Sequence, residues 1–147
     1  MDIPEYVTKA EVRRVCELLG IRDWSAPSAS KVDPREAQII RDSVGGETLQ
    51  IPLEAFVRGL EVELEHGVAF PDSNVTNNHP LLTGRIVLAH LKETLDYYNR
   101  LEVAELEGDM LKALVTGDQS KLAKKYANLV QARSVLSSLE RARVGSE

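Results

Sequence analysis

Apolar residues recur every three or four positions along most of this chain, a period that predicts helix after helix. In "TKAEVRRVCELLG", Val12, Val15, Cys16 and Leu19 fall in step on one side. Thr8 with Glu11 three residues later forms a capping box, and Gly20 marks the stop. "DPREAQIIRDSVGG" repeats that logic: Asp33 caps, Pro34 suits the first turn, Glu36 closes the box and Gly45-Gly46 ends the helix. Ser25 to Lys31, rich in Ser, Ala and Pro, reads as a flexible linker between them. A third helix follows Pro52 and runs to Gly67, and "FPDSNVTNN" is a loop of turn-forming residues. Pro80, with His79 available as its cap, opens a long helix expected to reach about Glu107. Gly108 and Gly117 bound a short helix containing "MLKAL", and a last helix runs from near Asp118 to about Arg143.

No segment alternates like a strand. "TLQIPL" is the one short candidate, and Pro52 limits its pairing. The expected fold is therefore all-α, a small helical bundle built on an antiparallel helix hairpin with a long carboxy-terminal helix. Residues 1–108 form the main helical domain and 109–147 an extension packed on it or on a partner. The last helix aligns Leu122, Tyr126, Leu129, Ala132, Leu136 and Leu139 on one side. That spacing resembles a bundle or coiled-coil seam. It either packs on its own domain or makes the 118–143 helix the contact for a protein partner or a homo-oligomer.

Composition narrows the function. The chain has 147 residues, 43% hydrophobic but only 5% aromatic, so aliphatic side chains must build the core. Its net charge of −5 argues against nucleic acid as a general partner. The basic run "KLAKKYANLVQARSVL" reads as a solvated face, with Lys121, Lys124, Lys125 and Arg133 outward. No apolar run approaches the roughly 20 residues needed to span a membrane, and "MDIPEYVTK" lacks the order of a signal peptide. A single cysteine, Cys16, excludes an intrachain disulfide and fits a reducing compartment. The expected location is cytoplasmic. Nothing resembles a nucleophile elbow, a P-loop or a dinucleotide-binding turn.

The stretch "VELEHG" carries the candidate chemistry. In the third helix Leu53, Phe56, Leu60 and Leu64 share a face, and Glu61 and Glu65 point away as surface charges. Glu63 lies within the apolar arc and His66 at its edge, so the pair shares one face at i, i+3. That is the half-site of ferritin-like carboxylate metal proteins. The long helix buries His90 and brings Glu93 alongside it. In an antiparallel hairpin, His66 opposes His90 and Glu63 opposes Glu93. Two imidazoles and two carboxylates suit zinc, iron or manganese. Tyr97, one turn after Glu93, can support a ligand carboxylate from outside the ligand set. A His–Glu polar network without metal satisfies the same residues.

"FVRGLEVELEHG" and "NVTNNHPLLTGRIVLAHLKETLDYYNRLEVAE" resemble an uncharacterised family of bacteria and their phages, a domain of unknown function. "EVRRVCELLGI" fits it too, so the resemblance spans about Val7 to Glu105, with an insert around Ser25 to Gly46. It implies that Glu63, His66, Gly67, Asn74, Thr76, His90, Glu93, Asp96 and Tyr97 belong to the family pattern, with Asp96 beside Tyr97 in the supporting shell. It implies no activity. Asn78 and His79 stand where the pattern has acidic residues, which counts against a calcium site in the loop. The helix after Gly117 reads as an addition. The expectation is a non-enzymatic helical structural or interaction protein, a phage virion or accessory component, whose buried His/Glu site can bind a metal. The alternatives are a metalloenzyme with a mononuclear or dinuclear His/Glu site and a nucleic-acid-associated accessory protein.

Overall fold

The computed structural model describes residues 5–26 and 30–145. It contains six α-helices and, among the described residues, no strand: α1 (Lys9–Leu19), α2 (Pro34–Val44), α3 (Leu53–Ala69), α4 (Pro80–Glu93), α5 (Tyr97–Val115) and α6 (Gln119–Val144). The all-α expectation holds, and the long carboxy-terminal helix packs against the helix before it. The chain divides into two compact units, residues 1–95 and 96–147.

In the first unit, α3 packs on α2 and α4, α2 also touches α4, and α1 lies against α4. The core is aliphatic apart from a few aromatics: Val12, Val15, Ile40, Phe56, Leu60 and Val87 are buried. Gly84 is the close-packing point. A Cβ there would stand 3.1 Å from both Ile40 and Val44 and 3.3 Å from Phe56, so α2 and α3 both press on this one position of α4. Cys16 is buried with them, and burial pushes its thiol pKa up, as for a core residue rather than a reactive one.

The helix starts follow the capping residues. Thr8 Oγ1 accepts from Glu11 N at 3.1 Å, Asp33 Oδ1 from Arg35 N at 2.7 Å, and His79 Nδ1 from Leu82 N at 3.4 Å. The acidic halves of the two boxes work elsewhere. The Glu11 carboxylate grips Arg14, at 2.8 and 2.7 Å, and Glu36 accepts from Arg22 N at 3.0 Å, pinning the turn after α1. Gly20 closes α1 in the left-handed region at φ 66°. Gly46–Gln50 forms a 3-10 turn where "TLQIPL" offered the one strand candidate. Part of the expected Ser25–Lys31 linker, residues 27–29, lies outside the described residues.

The expected long helix from Pro80 to Glu107 is two helices. α4 stops at Glu93, Thr94 is extended at φ −162° and ψ 140°, and α5 restarts at Tyr97. Asp96 O accepts from Asn99 N and Arg100 N, both at 3.0 Å, which starts the new helix. Gly108 does not stop it, so α5 absorbs the expected "MLKAL" helix and ends at Val115.

The second unit is an α5–α6 hairpin. Its rungs run antiparallel: Arg100 meets Glu140 at 2.8 Å, Glu107 meets Arg133, and Asp109 meets Lys125 at 2.6 Å. The core between them is thin, with Leu106, Leu129 and Ala132 buried and Val103 and Met110 packed against them. Of the expected seam on α6, Leu129 and Ala132 face this core, Leu122 and Leu136 are half-buried, and Tyr126 and Leu139 are exposed.

Candidate functional site

Glu63 and His90 come together across the α3–α4 contact. His90 Nε2 lies 3.7 Å from Glu63 Oε1, with the side chains 31% and 18% exposed. The separation is an ion-pair distance, longer than a direct hydrogen bond. His66 is exposed one turn beyond Glu63, and Glu93 is exposed near the end of α4. Among the described residues, no group of three or more His, Cys, Asp or Glu side chains is arranged to hold a metal ion. Asp96 and Tyr97 belong to the second compact unit. There Asp96 is 3% exposed and pairs with Arg100 at 2.9 Å and Arg143 at 3.5 Å, and Tyr97 packs edge-on against Tyr98.

Glu61 is not the plain surface charge that its helical angle predicts. One carboxylate oxygen accepts from Lys31 Nζ at 3.0 Å and the other from Val32 N at 3.1 Å. Glu61 thus holds the chain entering α2 against α3. Glu65 is exposed as expected.

Side-chain hydrogen bonds organise the loop between α3 and α4. Asn74 Nδ2 donates to Gly67 O at 3.1 Å and to Asn78 Oδ1 at 2.8 Å. Thr76 Oγ1 donates to Asn74 Oδ1 at 3.2 Å and accepts from Asn78 N at 3.3 Å. Asn78 Nδ2 reaches Trp24 O at 3.4 Å, and Asn77 Nδ2 reaches Val7 O at 2.6 Å. Asn77 and Asn78 both take positive φ, 47° and 62°, a conformation asparagine tolerates better than most side chains. "NVTNN" is therefore a latch that ties the loop to the end of α3 and to the segments on either side of α1. The run of asparagines signals a turn in sequence; its partners far along the chain have no sequence signature.

This latch forms one wall of a cavity of about 380 Å³ between the end of α3, the loop and the start of α4. Glu63, His66, Phe70, Thr76, Thr83 and Ile86 line it, with Gly67, Ser73, Asn74 and Val75. Periodicity places Glu63, His66 and Ile86 on inward faces but not Phe70 or Thr83, whose convergence on them depends on how the loop folds back.

Helices, latch and cavity together define a small all-helical protein with a largely apolar pocket, carrying Glu63 and His66, at the end of α3. A family model for proteins of unknown function (DUF5661) matches residues 12–107, and the chain belongs to that family. No curated protein and no solved structure matches it.

Proposed function

We propose that this is a non-enzymatic helical interaction protein that self-associates through the outer faces of α5 and α6. The observation that carries the reading is the exposure of Tyr126 and Val130, 58% and 53%, on a hairpin whose own core is only a few residues deep. Leu111, Leu114, Leu139 and Val144 add to the exposed apolar surface. Taken together, these side chains are read as an interaction surface. A second copy is the partner of this reading, since a two-fold axis lays one apolar face against itself. Charge does not select it: acidic α5 and basic α6 already pair with each other within the chain. The basic run on α6 already meets carboxylates at Lys125 and Arg133, which favours protein over nucleic acid.

The resemblance to a family of bacteria and their phages extends the proposal to a virion or accessory component. Light scattering over a range of concentrations tests the association. A dimer or higher oligomer that Tyr126→Glu with Val130→Glu converts to monomer supports it; a monomer at every concentration sinks it.

A metal ion at Glu63 and His90 is the second reading, supported by their approach across α3 and α4. These two can supply one carboxylate and one imidazole to zinc, iron or manganese, and His66 lies one turn from Glu63. Elemental analysis of purified protein decides. Stoichiometric metal with a lower melting temperature after chelation supports it; sub-stoichiometric metal and unchanged melting remove it.

A further inference from the structure

The cavity beside Glu63 has a ligand chemistry of its own, independent of how α6 associates. We propose that it binds a primary alkylammonium group, carried by a lysine side chain or by a free aliphatic amine.

Charge selects the sign of the ligand. A carboxylate, Glu63, lines the cavity, and no lysine or arginine does. The Glu63 side chain is only 18% exposed, so its charge is screened less than one on the open surface. An anion entering here meets that carboxylate beside the imidazole of His66, and no lysine or arginine, whereas a cation gains an ion pair.

The rest of the lining suits an ammonium on an aliphatic stem. An ammonium carries three donors. The hydroxyls of Ser73, Thr76 and Thr83 and the carboxylate of Glu63 are acceptors among the residues that line the cavity. A carboxylate has about four lone-pair positions, so it can face His90 and an ammonium together. The bidentate fork of a guanidinium needs both oxygens in one plane, and Glu63 Oε1 already lies 3.7 Å from His90 Nε2. A point-charge donor fits that geometry better. Phe70 supplies an exposed aromatic ring for cation–π contact, and Val75 and Ile86 supply aliphatic surface for the stem. A volume of about 380 Å³ takes a short chain. It lies at the small end of the roughly 300–1,000 Å³ typical of ligand pockets.

The test is an amide-resolved NMR titration of the full chain in excess EDTA, so that metal binding contributes nothing. The probes are n-pentylammonium, Nα-acetyl-lysine methylamide, pentan-1-ol and pentanoate. The two amines should shift the amides of Glu63, Thr76, Thr83 and Ile86, with a Kd on the order of 1 mM. The alcohol and the carboxylate should bind at least about tenfold more weakly, and Glu63→Gln should weaken the amines by about tenfold. Phe70→Ala, at an exposed position, should keep the fold and weaken the amines roughly threefold. Glu93→Gln, outside the cavity, should leave binding unchanged. Tighter binding of the lysine derivative identifies a partner's side chain as the source, and tighter binding of pentylammonium a free amine. Equal binding of pentan-1-ol, amine affinity unchanged in both Glu63→Gln and Phe70→Ala, or no shift at the cavity amides overturns the proposal.

Discussion

The side chain of Asn78 occupies the space that any side chain at position 67 would need. A Cβ on Gly67 would stand 2.0 Å from Asn78 Oδ1 and 2.7 Å from Asn74 Nδ2. The glycine of "VELEHG" and the asparagines of "NVTNN" are thus two halves of one contact. Gly67→Ala must displace a hydrogen-bonded amide pair, and overpacking of that kind costs about 1–3 kcal/mol. Asn78→Gly suits the φ of 62° at that position and clears the clash. Urea unfolding of both single variants and the double variant should show a double variant more stable than the sum of the singles predicts. Strict additivity would show that the two positions do not communicate.

Gly84 and Gly108 should respond in opposite directions to the same change. Gly84→Ala pushes a methyl against Ile40, Val44 and Phe56 where three helices meet, so it should destabilise by about 1–2 kcal/mol, and Gly84→Val by more. Gly108 lies within α5 with no neighbour within 4 Å of a built Cβ. There Ala removes the conformational penalty of a helical glycine and should stabilise by about 0.5–1 kcal/mol. Thermal melts of the two alanine variants check both signs.

The contrast between these glycines shows what the sequence can and cannot disclose. Glycine at 108 looks like a stop because its helix penalty is local and visible. It is overridden by the packing of Leu106 and Met110 against Leu129 and Ala132, which lies about twenty residues further along the chain. The break at Thr94–Asp96 was hidden for the opposite reason: apolar residues stay in step through "HLKETLDYYNRL", so periodicity runs across a gap that backbone geometry does not. Caps at Thr8, Asp33 and His79 were readable because each acts within three residues. Glu63 and His90 were readable as inward-facing because their helices are amphipathic. Glu61 was not, since its bonds to Lys31 and Val32 cross thirty positions of sequence.

His79 makes the start of α4 sensitive to pH. Its Nδ1 accepts from Leu82 N, which requires an unprotonated nitrogen. Burial, the largest influence, lowers its pKa; Glu11 opposes that shift and Arg14 adds to it. The folded value therefore lies below the unfolded value of about 6.5. The unfolded chain takes up the proton first, so the stabilisation is complete above about pH 6.5 and is lost as pH falls through the lowered folded value. A cap of this kind is worth about 1 kcal/mol. The difference in urea midpoint between wild type and His79→Asn, which caps without titrating, should be small at pH 8 and grow against wild type toward pH 5. His66 and His90 are present in both proteins and cancel. A difference independent of pH would remove His79 as the source.

Asp96 fastens the end of α6 to the start of α5. It is 3% exposed, lies 2.9 Å from Arg100 and 3.5 Å from Arg143, and sits where α5 begins. Removing its charge leaves two arginines without a shared acceptor beside a buried site. The full penalty for breaking a buried pair is about 3–5 kcal/mol. Arg100 and Arg143 are each about half exposed and can turn to water, so Asp96→Asn should cost less, about 1–3 kcal/mol. Arg143→Met, which keeps the aliphatic stem, should cost under about 1 kcal/mol because the arginine is the exposed partner. Hydrogen exchange locates the effect. In Asp96→Asn the amides of the last two turns of α6 should exchange faster, while those around Leu129 and Ala132, held by the hairpin core, should keep their protection relative to global unfolding. Uniform loss across α6 would mean that the hairpin opens as one unit, with Asp96 a part of its single core rather than a fastening at one end.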